Sequence, residues 1–331
     1  MISIEITENE ANRRLDRYLK KYLKSAPLSF IYRIIRKDVK VNGKRAQADT
    51  LLKIGDTVDI YLPEEQLKVF EVTKKNVKAR RQFQIVFEDE NILIVNKPFG
   101  LLTHGDDKEK KNTLANQVLA YLIGTDAYNP RISPTFSPAP ANRLDRNTTG
   151  LVMFGKNLAS LQALTAMIRG VDEGQIIEKY YLTIVKGIMK DPIVLTNKMV
   201  RDQSDNKTKV LDIDSKEGIV MRTEAKPLSK GKGYTLVEAK LITGRTHQIR
   251  AHLAEAGHPI IGDKKYGDRK INAKIAGQFD LNTQLLHAYK LKINECDGHL
   301  SYLKDKVFEA DPPEGFFEIA TSLGCKINIK K

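Results

Sequence analysis

The 331-residue sequence predicts an α+β protein in which the main sheet is mixed and largely antiparallel. Many β-rich runs after residue 85 follow one another with few helical segments between them, whereas a doubly wound fold would alternate the two. The first 62 residues instead show the period of two short amphipathic helices. We therefore expect a small N-terminal module at 1–62, a charged linker at 63–84 and a large domain at 85–331.

The N-terminal module is predicted to be a compact ααβ unit. Apolar residues recur with helical spacing from Leu15 to Leu23 and, after the break at Pro27, from Phe30 to Ile35. We expect Ser29 to cap the second helix, because a serine hydroxyl can accept a hydrogen bond from the first turn. Alternating residues then lead into Asn42-Gly43, a strong hairpin signal.

Basic residues are concentrated in this module. Residues 13–45 carry twelve Lys or Arg and only two acids, in a chain with a net charge of +14. Such a patch favours a polyanionic partner, usually nucleic acid, although many basic helix pairs are merely solvated.

Three stretches of the module stand out: R-L-D-R-Y-L at 14–19, I-I-R-K-D-V-K-V-N-G-K at 34–44 and G-D-T-V-D-I at 55–60. With them, the module resembles the alpha-L RNA-binding module of a small-subunit ribosomal protein, some tyrosyl-tRNA synthetases and many RNA-modifying enzymes. The resemblance implies RNA binding through basic side chains. Those we expect to contact RNA are Arg13, Arg14, Arg17, Lys20, Arg33, Arg36, Lys37, Lys40 and Lys44.

Several other classes of protein are disfavoured. The acidic N-terminus and the absence of any run of 18 apolar residues predict a cytoplasmic protein without a membrane partner. Two cysteines form no disulfide framework. His247, His252 and His258 do not have the i, i+4 spacing of a helical metal site, so we expect no metal. We also expect a monomer.

The large domain is predicted to open with two strands between residues 85 and 97. A helix from Leu114 and a proline-rich approach between 130 and 140 lead to the stretch 141–150. The elements expected after it are a strand at 151–155, a helix at 158–168, strands at 179–187, 218–226 and 234–242, and a helix ending at Ala256.

The stretch A-N-R-L-D-R-N-T-T-G at 141–150 places one carboxylate, Asp145, between Arg143 and Arg146. Opposite charges nearby favour the ionised form of a carboxylate, which can serve as a nucleophile or a base. The two arginines could equally bind a phosphate backbone. The alternative is an ordinary surface ion pair, which would contribute little.

Four motifs stand out in the large domain: N-R-L-D-R-N-T-T-G-L at 142–151, K-Y-Y-L-T-I-V-K-G at 179–187, L-I-T-G-R-T-H-Q-I-R-A-H-L at 241–253 and G-H-P-I-I-G-D-K-K-Y-G at 257–267. With them, the chain resembles the pseudouridine synthases of the RluA type, above all those acting on large-subunit ribosomal RNA, over essentially its whole length. The resemblance implies a pseudouridine synthase-type catalytic domain. It also implies an rRNA substrate, free or in an assembly particle, and no metal or cofactor.

On the same resemblance, Asp145 is the catalytic aspartate and Arg250 its ion-pair partner. Tyr181 would stack on the target uracil, and Arg143 would approach the RNA near the position that the base vacates. Asn142 stands where the family usually has His, for which we expect altered RNA contact rather than lost catalysis. Thr149 replaces a usual Ser, and Thr183 a usual Ala.

The chemistry leaves alternatives open. One carboxylate can attack C1′, attack C6 of the uracil or remove the C2′ proton, and the sequence does not choose among these routes. A hydrolytic RNA glycosylase would need a second carboxylate, and the motifs contain no evident one. A non-catalytic rRNA-binding assembly factor is the third hypothesis.

Overall fold

The structure, a computed structural model, describes residues 1–63, 65–66, 79–130, 132–169, 176–202 and 207–326. Most of the linker predicted at 63–84 therefore lies outside the described residues. The fold is α+β, as predicted, and its large sheet is mixed and mostly antiparallel. None of the described helices is both long and apolar enough to cross a lipid bilayer.

The first 62 residues form a hydrophobic cluster of their own, in which two helices pack on small sheets. Strands β1, β6, β3 and β4 form one antiparallel sheet in that order, and β2 pairs with β5. The elements are β1 Ile2–Glu5, β2 Arg13–Arg14, α1 Leu15–Tyr22, α2 Leu28–Lys37, β3 Val39–Val41, β4 Lys44–Arg45, β5 Leu51–Leu52 and β6 Thr57–Ile60.

Two local predictions in this module have different outcomes. The hairpin is confirmed: Asn42 (φ 51°) and Gly43 (φ 74°) join β3 to β4 with the positive φ angles of a type I′ turn. The cap at Ser29 is wrong. The helix α2 begins at Leu28, two residues earlier than a cap at Ser29 would place it, after Pro27 in an extended conformation, so Ser29 lies inside the first turn.

A polar contact joins this module to the large domain. Asn9 donates to the Ser133 hydroxyl (2.8 Å) and accepts a hydrogen bond from the backbone N–H of Leu158 (2.8 Å). The fully buried Glu10 accepts a hydrogen bond from Thr135 (2.9 Å). These contacts dock the module against the segment that leads into residues 141–150 and against the start of the helix at Leu158–Arg169.

The large domain is built on a sheet with the strand order β13-β12-β14-β15-β11-β16-β10-β8-β7, with β17 and β9 added at its side. Its strands are β7 Gln84–Glu88, β8 Ile92–Lys97, β9 Ala139–Pro140, β10 Thr149–Gly155, β11 Ile177–Lys186, β12 Ile193–Asp202, β13 Lys207–Leu211, β14 Ile219–Lys230, β15 Tyr234–Leu241, β16 Leu286–Ile293 and β17 Val307–Glu309. Its helices are α3 Leu114–Gly124, α4 Leu158–Arg169, α5 Gln248–Glu255, α6 Arg269–Phe279 and α7 Glu314–Ser322, with a 3₁₀ helix at Gly298–Leu303.

Every element predicted between residues 85 and 256 is present, with ends shifted by a few residues. The β12–β13 pair and the elements from α6 to α7 were not predicted. The strand β12 shows why: its residues are mostly half-exposed, so the apolar alternation that indicates a strand is weak there.

The parallel pairing of β10 with β16 positions the stretch 141–150 over the middle of the sheet. Gly150 has a φ of 113°, and a Cβ there would lie 2.2 Å from the carbonyl oxygen of Ala288 on β16. Only glycine fits such an approach. The last residue of the N-R-L-D-R-N-T-T-G motif is therefore required by the sheet, and the loop before it is fixed to the sheet centre.

Candidate active site

Asp145 and Arg250 form an ion pair between the loop before β10 and the helix α5. Arg250 Nη1 donates to Asp145 Oδ2 at 3.0 Å. The Arg250 side chain is 6% exposed and that of Asp145 is 29% exposed, so the carboxylate faces a cleft while its partner is buried beneath it. The resemblance implied this pair, and the structure places the two side chains in contact.

A second carboxylate holds Arg250 from the other side. Arg250 Nε donates to Asp263 Oδ2 (2.6 Å) and Nη2 donates to Asp263 Oδ1 (2.9 Å), a bidentate pair. Burial alone would raise the pKa of Asp263, but the hydrogen bonds and charge of Arg250 outweigh it, and the pKa is lowered. Burial would likewise lower the pKa of Arg250, yet Asp263 and Asp145 raise it. Arg250 and Asp263 are therefore both charged at neutral pH.

The backbone before Asp263 explains the sequence I-I-G-D. Gly262 has a φ of 76°, and a Cβ there would lie 2.0 Å from the carbonyl oxygen of Thr283. This approach turns the chain so that Asp263 faces α5. Sequence reasoning assigned Asp263 no role, although it lies within a motif that carried the resemblance.

Three side chains fix the loop that carries Asp145. Lys97, fully buried, donates to the carbonyl oxygens of Pro98, Leu101 and Arg146 at 2.8–3.1 Å. Thr103 exchanges hydrogen bonds with the backbone of Leu144. Hydrogen bonds from Thr103 and Lys97 thus hold the backbone of Leu144 and Arg146, the two neighbours of Asp145. Burial lowers the pKa of Lys97 to about 7, and the charge of Asp145 acts in the opposite direction.

Asn142 is the third of these side chains. Its Oδ1 accepts a hydrogen bond from the N–H of Met153 (2.8 Å), and its Nδ2 donates to the carbonyl oxygen of Leu151 (3.2 Å). Both polar atoms of the amide therefore bind the backbone of β10. We expected the replacement of the usual His by Asn142 to alter contact with RNA. In the structure, Asn142 anchors the loop to the sheet.

Thr149 makes a comparable structural contact. Its hydroxyl lies 2.7 Å from Nδ1 of the buried His287, while Nε2 of that histidine lies 2.9 Å from the carbonyl oxygen of Ala310. Nε2 must donate to the carbonyl, so Nδ1 accepts from Thr149. The replacement of the usual Ser by Thr keeps this hydroxyl. Burial lowers the pKa of His287 to about 4, and the imidazole stays neutral.

A cavity of about 90 Å³ lies above the Asp145 carboxylate. Tyr181, on β11, forms one wall, and burial followed by the charge of Asp145 raises the pKa of its hydroxyl well above the ordinary value. Arg143, Arg245 and His247 lie at the rim. The structure thus brings together four residues that the sequence singled out: Asp145, Tyr181, Arg250 and Arg143.

Arg146 does not brace Asp145 as the local spacing suggested. Its Nη2 lies 3.1 Å from Asp106, in a surface ion pair whose side chains are both more than 40% exposed. Arg143 is exposed and points to the cavity rim. The cation that contacts Asp145 comes instead from α5.

The basic residues predicted to bind RNA fall into separate groups. Arg14, Arg17 and Lys20 line one groove of about 640 Å³ on the N-terminal module, together with Lys21 and Lys24. Outside the groove's lining lie five others: Arg33, which stacks on Phe30; Arg36, which donates to the Tyr32 carbonyl; Lys40, which lies over Tyr61; and the exposed Lys37 and Lys44.

Arg13 has a different setting. Its Nη1 donates to the Thr135 hydroxyl at 3.0 Å, so the side chain is part of the contact between module and large domain. Its predicted RNA contact would have to be made from that position.

The three histidines considered as metal ligands face different partners. His247 Nδ1 lies 3.1 Å from the Tyr266 hydroxyl, His252 Nδ1 lies 2.8 Å from the Thr223 hydroxyl, and His258 Nδ1 lies 3.0 Å from the carbonyl oxygen of Lys186. Among the residues that the structure describes, no group of three or more His, Cys, Asp or Glu side chains is arranged to hold a metal ion.

Comparisons with known proteins agree with this geometry. Residues 91–255 match the RNA pseudouridylate synthase family. The chain is 34% identical over 294 residues to the ribosomal large subunit pseudouridine synthase C of Vibrio parahaemolyticus, covering 87% of each chain. It is 35% identical over 295 residues to the protein of that name from Buchnera aphidicola subsp. Schizaphis graminum, covering 86% of this chain and 87% of the relative.

The fold is also shared with a solved structure. The human RNA pseudouridylate synthase domain containing 4 superposes with a TM-score of 0.58 at 22% identity, over 73% of this chain and 94% of the human one.

Proposed function

Because the chain belongs to the RNA pseudouridylate synthase family, as its sequence predicted, we propose that it isomerises uridine to pseudouridine in large-subunit ribosomal RNA. We further propose that Asp145 is the catalytic carboxylate, with Arg250 as its partner and Tyr181 against the target base. The names of the relatives support the substrate, and the geometry around Asp145 supports the residue roles.

The observation that carries this proposal is the unequal use of the two oxygens of Asp145. Oδ2 is held by Arg250 at 3.0 Å, whereas Oδ1 has no hydrogen-bond partner within the described parts of the chain. One oxygen is therefore fixed while the other is open to the cavity. A carboxylate oriented by one oxygen is well suited to act with the other.

The isomerisation needs no further reactant. The N1–C1′ bond of uridine breaks, the base turns, and C5 bonds to C1′; a proton leaves C5 and N1 gains one, so composition and oxidation state are unchanged. The open oxygen of Asp145 can start this sequence at C1′, at C6 or at the C2′ proton. The base must leave its stack to reach Asp145, at a cost of a few kcal/mol, which phosphate contacts can offset.

The position of Asp263 favours isomerisation over hydrolysis. A hydrolytic glycosidase needs a second carboxylate to protonate the leaving group or activate water. The carboxylate nearest to the pair is Asp263, but it is fully buried and accepts hydrogen bonds from Arg250 and from the backbone of Lys265 and Tyr266. Asp263 is not among the residues that line the cavity, so Asp145 is the carboxylate that faces the substrate in the proposed site.

The test is to incubate the purified protein with unmodified large-subunit ribosomal RNA and map pseudouridine by chemical modification and reverse transcription. Formation of pseudouridine without free uracil is expected. Free uracil with an abasic RNA would support the glycosylase hypothesis instead, and RNA binding without either product would support the assembly factor.

We propose that the protein acts on RNA as a monomer, because the basic groove and the Asp145 cavity lie on the same chain. We also propose that it acts in the cytoplasm. Parallel reactions on naked RNA and on a ribosomal precursor particle would show which form of the substrate is used.

A further inference from the structure

Lys179 on β11 has a buried side chain whose ammonium group has no counter-ion within the described ranges. The residue is 6% exposed, and no carboxylate or hydrogen-bond acceptor there contacts its ammonium group, which still reaches solvent. Burial lowers its pKa, with no neighbouring charge as a further cause. Lys97 is a useful contrast, since it is fully buried but donates to three carbonyl oxygens.

An ammonium group on a buried stem loses part of its hydration. That loss is offset when a partner charge or several hydrogen bonds are present. Lys97 meets that condition inside the protein, so its role is structural. The Lys179 ammonium has no such partner among the described residues and reaches solvent, so it is available to bind a ligand.

The location of Lys179 identifies the ligand's position. Side chains two residues apart on a strand share a face, so Lys179 lies on the face of Tyr181, which lines the Asp145 cavity. A Cβ on Gly244 would lie 3.9 Å from Lys179 Nζ, and Gly244 itself is exposed and lines the cavity. The ammonium therefore lies close to a residue that lines the cavity and has no side chain to cover it.

We propose that Lys179 and Gly244 form a phosphate subsite, in which the Lys179 ammonium binds an oxygen of the RNA backbone next to the target uridine. This inference rests on the proposed function, since RNA is the polyanion that the cleft would receive. A phosphate carries the full negative charge that Lys179 lacks, whereas a uracil carbonyl would leave the cation uncompensated. Arg143 and Arg245 at the same rim add to the positive potential.

The test uses Lys179→Met, with Lys226→Met, an exposed lysine on β14, as the matched control. After the modified uridine has been mapped, synthetic RNAs spanning it carry a neutral methylphosphonate at one flanking phosphate at a time. At one of these positions the methylphosphonate should lower kcat/KM of the wild type about tenfold, which is the effect of one charged hydrogen bond. The same methylphosphonate should leave kcat/KM of Lys179→Met unchanged. Equal sensitivity of Lys179→Met and wild type at every phosphate would overturn the subsite.

Thermal unfolding separates this role from a structural one. Lys179→Met should unfold at the same or a higher temperature than the wild type, because a cation with a buried stem and no partner among the described residues is replaced by an apolar side chain, whereas Lys97→Met should unfold at a lower one. A clear fall in the melting temperature of Lys179→Met would contradict the inference. Gly244→Ala, whose Cβ meets Lys179 at an ordinary contact distance, should fold normally and weaken the same phosphate effect.

A wild-type protein that makes no pseudouridine would refute the proposed function alone. In that case the affinities of the same proteins for the same RNAs are compared by equilibrium binding. The subsite is supported if the methylphosphonate at one position weakens binding by the wild type but not by Lys179→Met, and equal weakening would overturn it.

Discussion

Arg250 Nη1 lies 3.0 Å from Asp145 Oδ2, although the two residues are 105 positions apart in the chain. The helix α5 carries the arginine and the loop before β10 carries the carboxylate. The same guanidinium binds Asp263 through its other nitrogens. One planar cation therefore links two acids, one buried and one facing the cleft.

Asp145→Asn should abolish pseudouridine formation. The amide keeps the shape of the side chain but can act neither as a nucleophile nor as a base. RNA affinity should stay within a few fold of wild type, because the phosphate contacts are elsewhere. Product mapping and filter binding on the same rRNA check both statements, and normal turnover by the variant would refute the role of Asp145.

Asp263→Asn should lower activity at least tenfold and reduce the free energy of unfolding by roughly 3–5 kcal/mol, since it leaves the buried Arg250 with half of its charge partners. Asp268→Asn is a matched control: its pair with Lys186 is partly exposed and contributes roughly 0–1 kcal/mol. Urea unfolding and single-turnover rates of both variants measure the difference. Similar losses in the two variants would contradict the assignment.

Asn142→Asp should reduce the rate of the chemical step more than RNA affinity. The carboxylate cannot donate to Leu151 and places a negative charge opposite that carbonyl oxygen, so we expect a loss of about 1–3 kcal/mol in stability and a displaced Asp145. Single-turnover kinetics at saturating RNA isolate the step. If Asn142→Asp weakened RNA binding while leaving the saturated rate intact, the residue would contact RNA as first expected.

The free energy of unfolding, measured as a function of pH, should show that His287 is neutral in the folded protein. Its pKa is about 4 in the folded protein and about 6.5 when unfolded, so the unfolded chain binds the additional proton between these values. Stability is therefore fully present above pH 6.5 and is lost as the pH falls toward 4. In His287→Asn the free energy of unfolding should depend less steeply on pH between 4 and 6.5, with a slope smaller by up to the equivalent of one bound proton. An unchanged slope would refute the burial of a neutral imidazole.

Neutralising the basic groove should change the salt dependence of RNA binding. The triple substitution of Arg14, Arg17 and Lys20 by Gln should lower the slope of log affinity against log salt by roughly two if all three contact single-stranded phosphates. Turnover at saturating RNA should be unaffected, because the groove is on the N-terminal module. Binding titrations over a range of salt, with Lys226→Gln as control, provide the measurement; an unchanged slope would remove the groove from the RNA path.

Local interactions made much of this protein predictable. The hairpin at Asn42-Gly43 and the strands β7, β8, β10 and β11 follow from turn chemistry and from apolar runs or alternation, which act within a few residues. Asp145, Tyr181 and Arg250 were found through motifs that carry a family resemblance, and the structure places all three around one cavity.

The sequence by itself determined the fold class, the family and the residues that meet at the candidate site. The resemblance implied the pair of Asp145 with Arg250, but only the tertiary structure showed that Asp263 holds Arg250 and that Arg146 pairs elsewhere. Spacing suggested Arg143 and Arg146 as partners of Asp145, but Arg146 pairs with Asp106 and the bracing cation is Arg250, held in turn by Asp263. These contacts depend on the parallel register of β10 with β16 and on the packing of α5. Short-range patterns in the chain do not encode contacts between elements that meet only after the sheet has assembled.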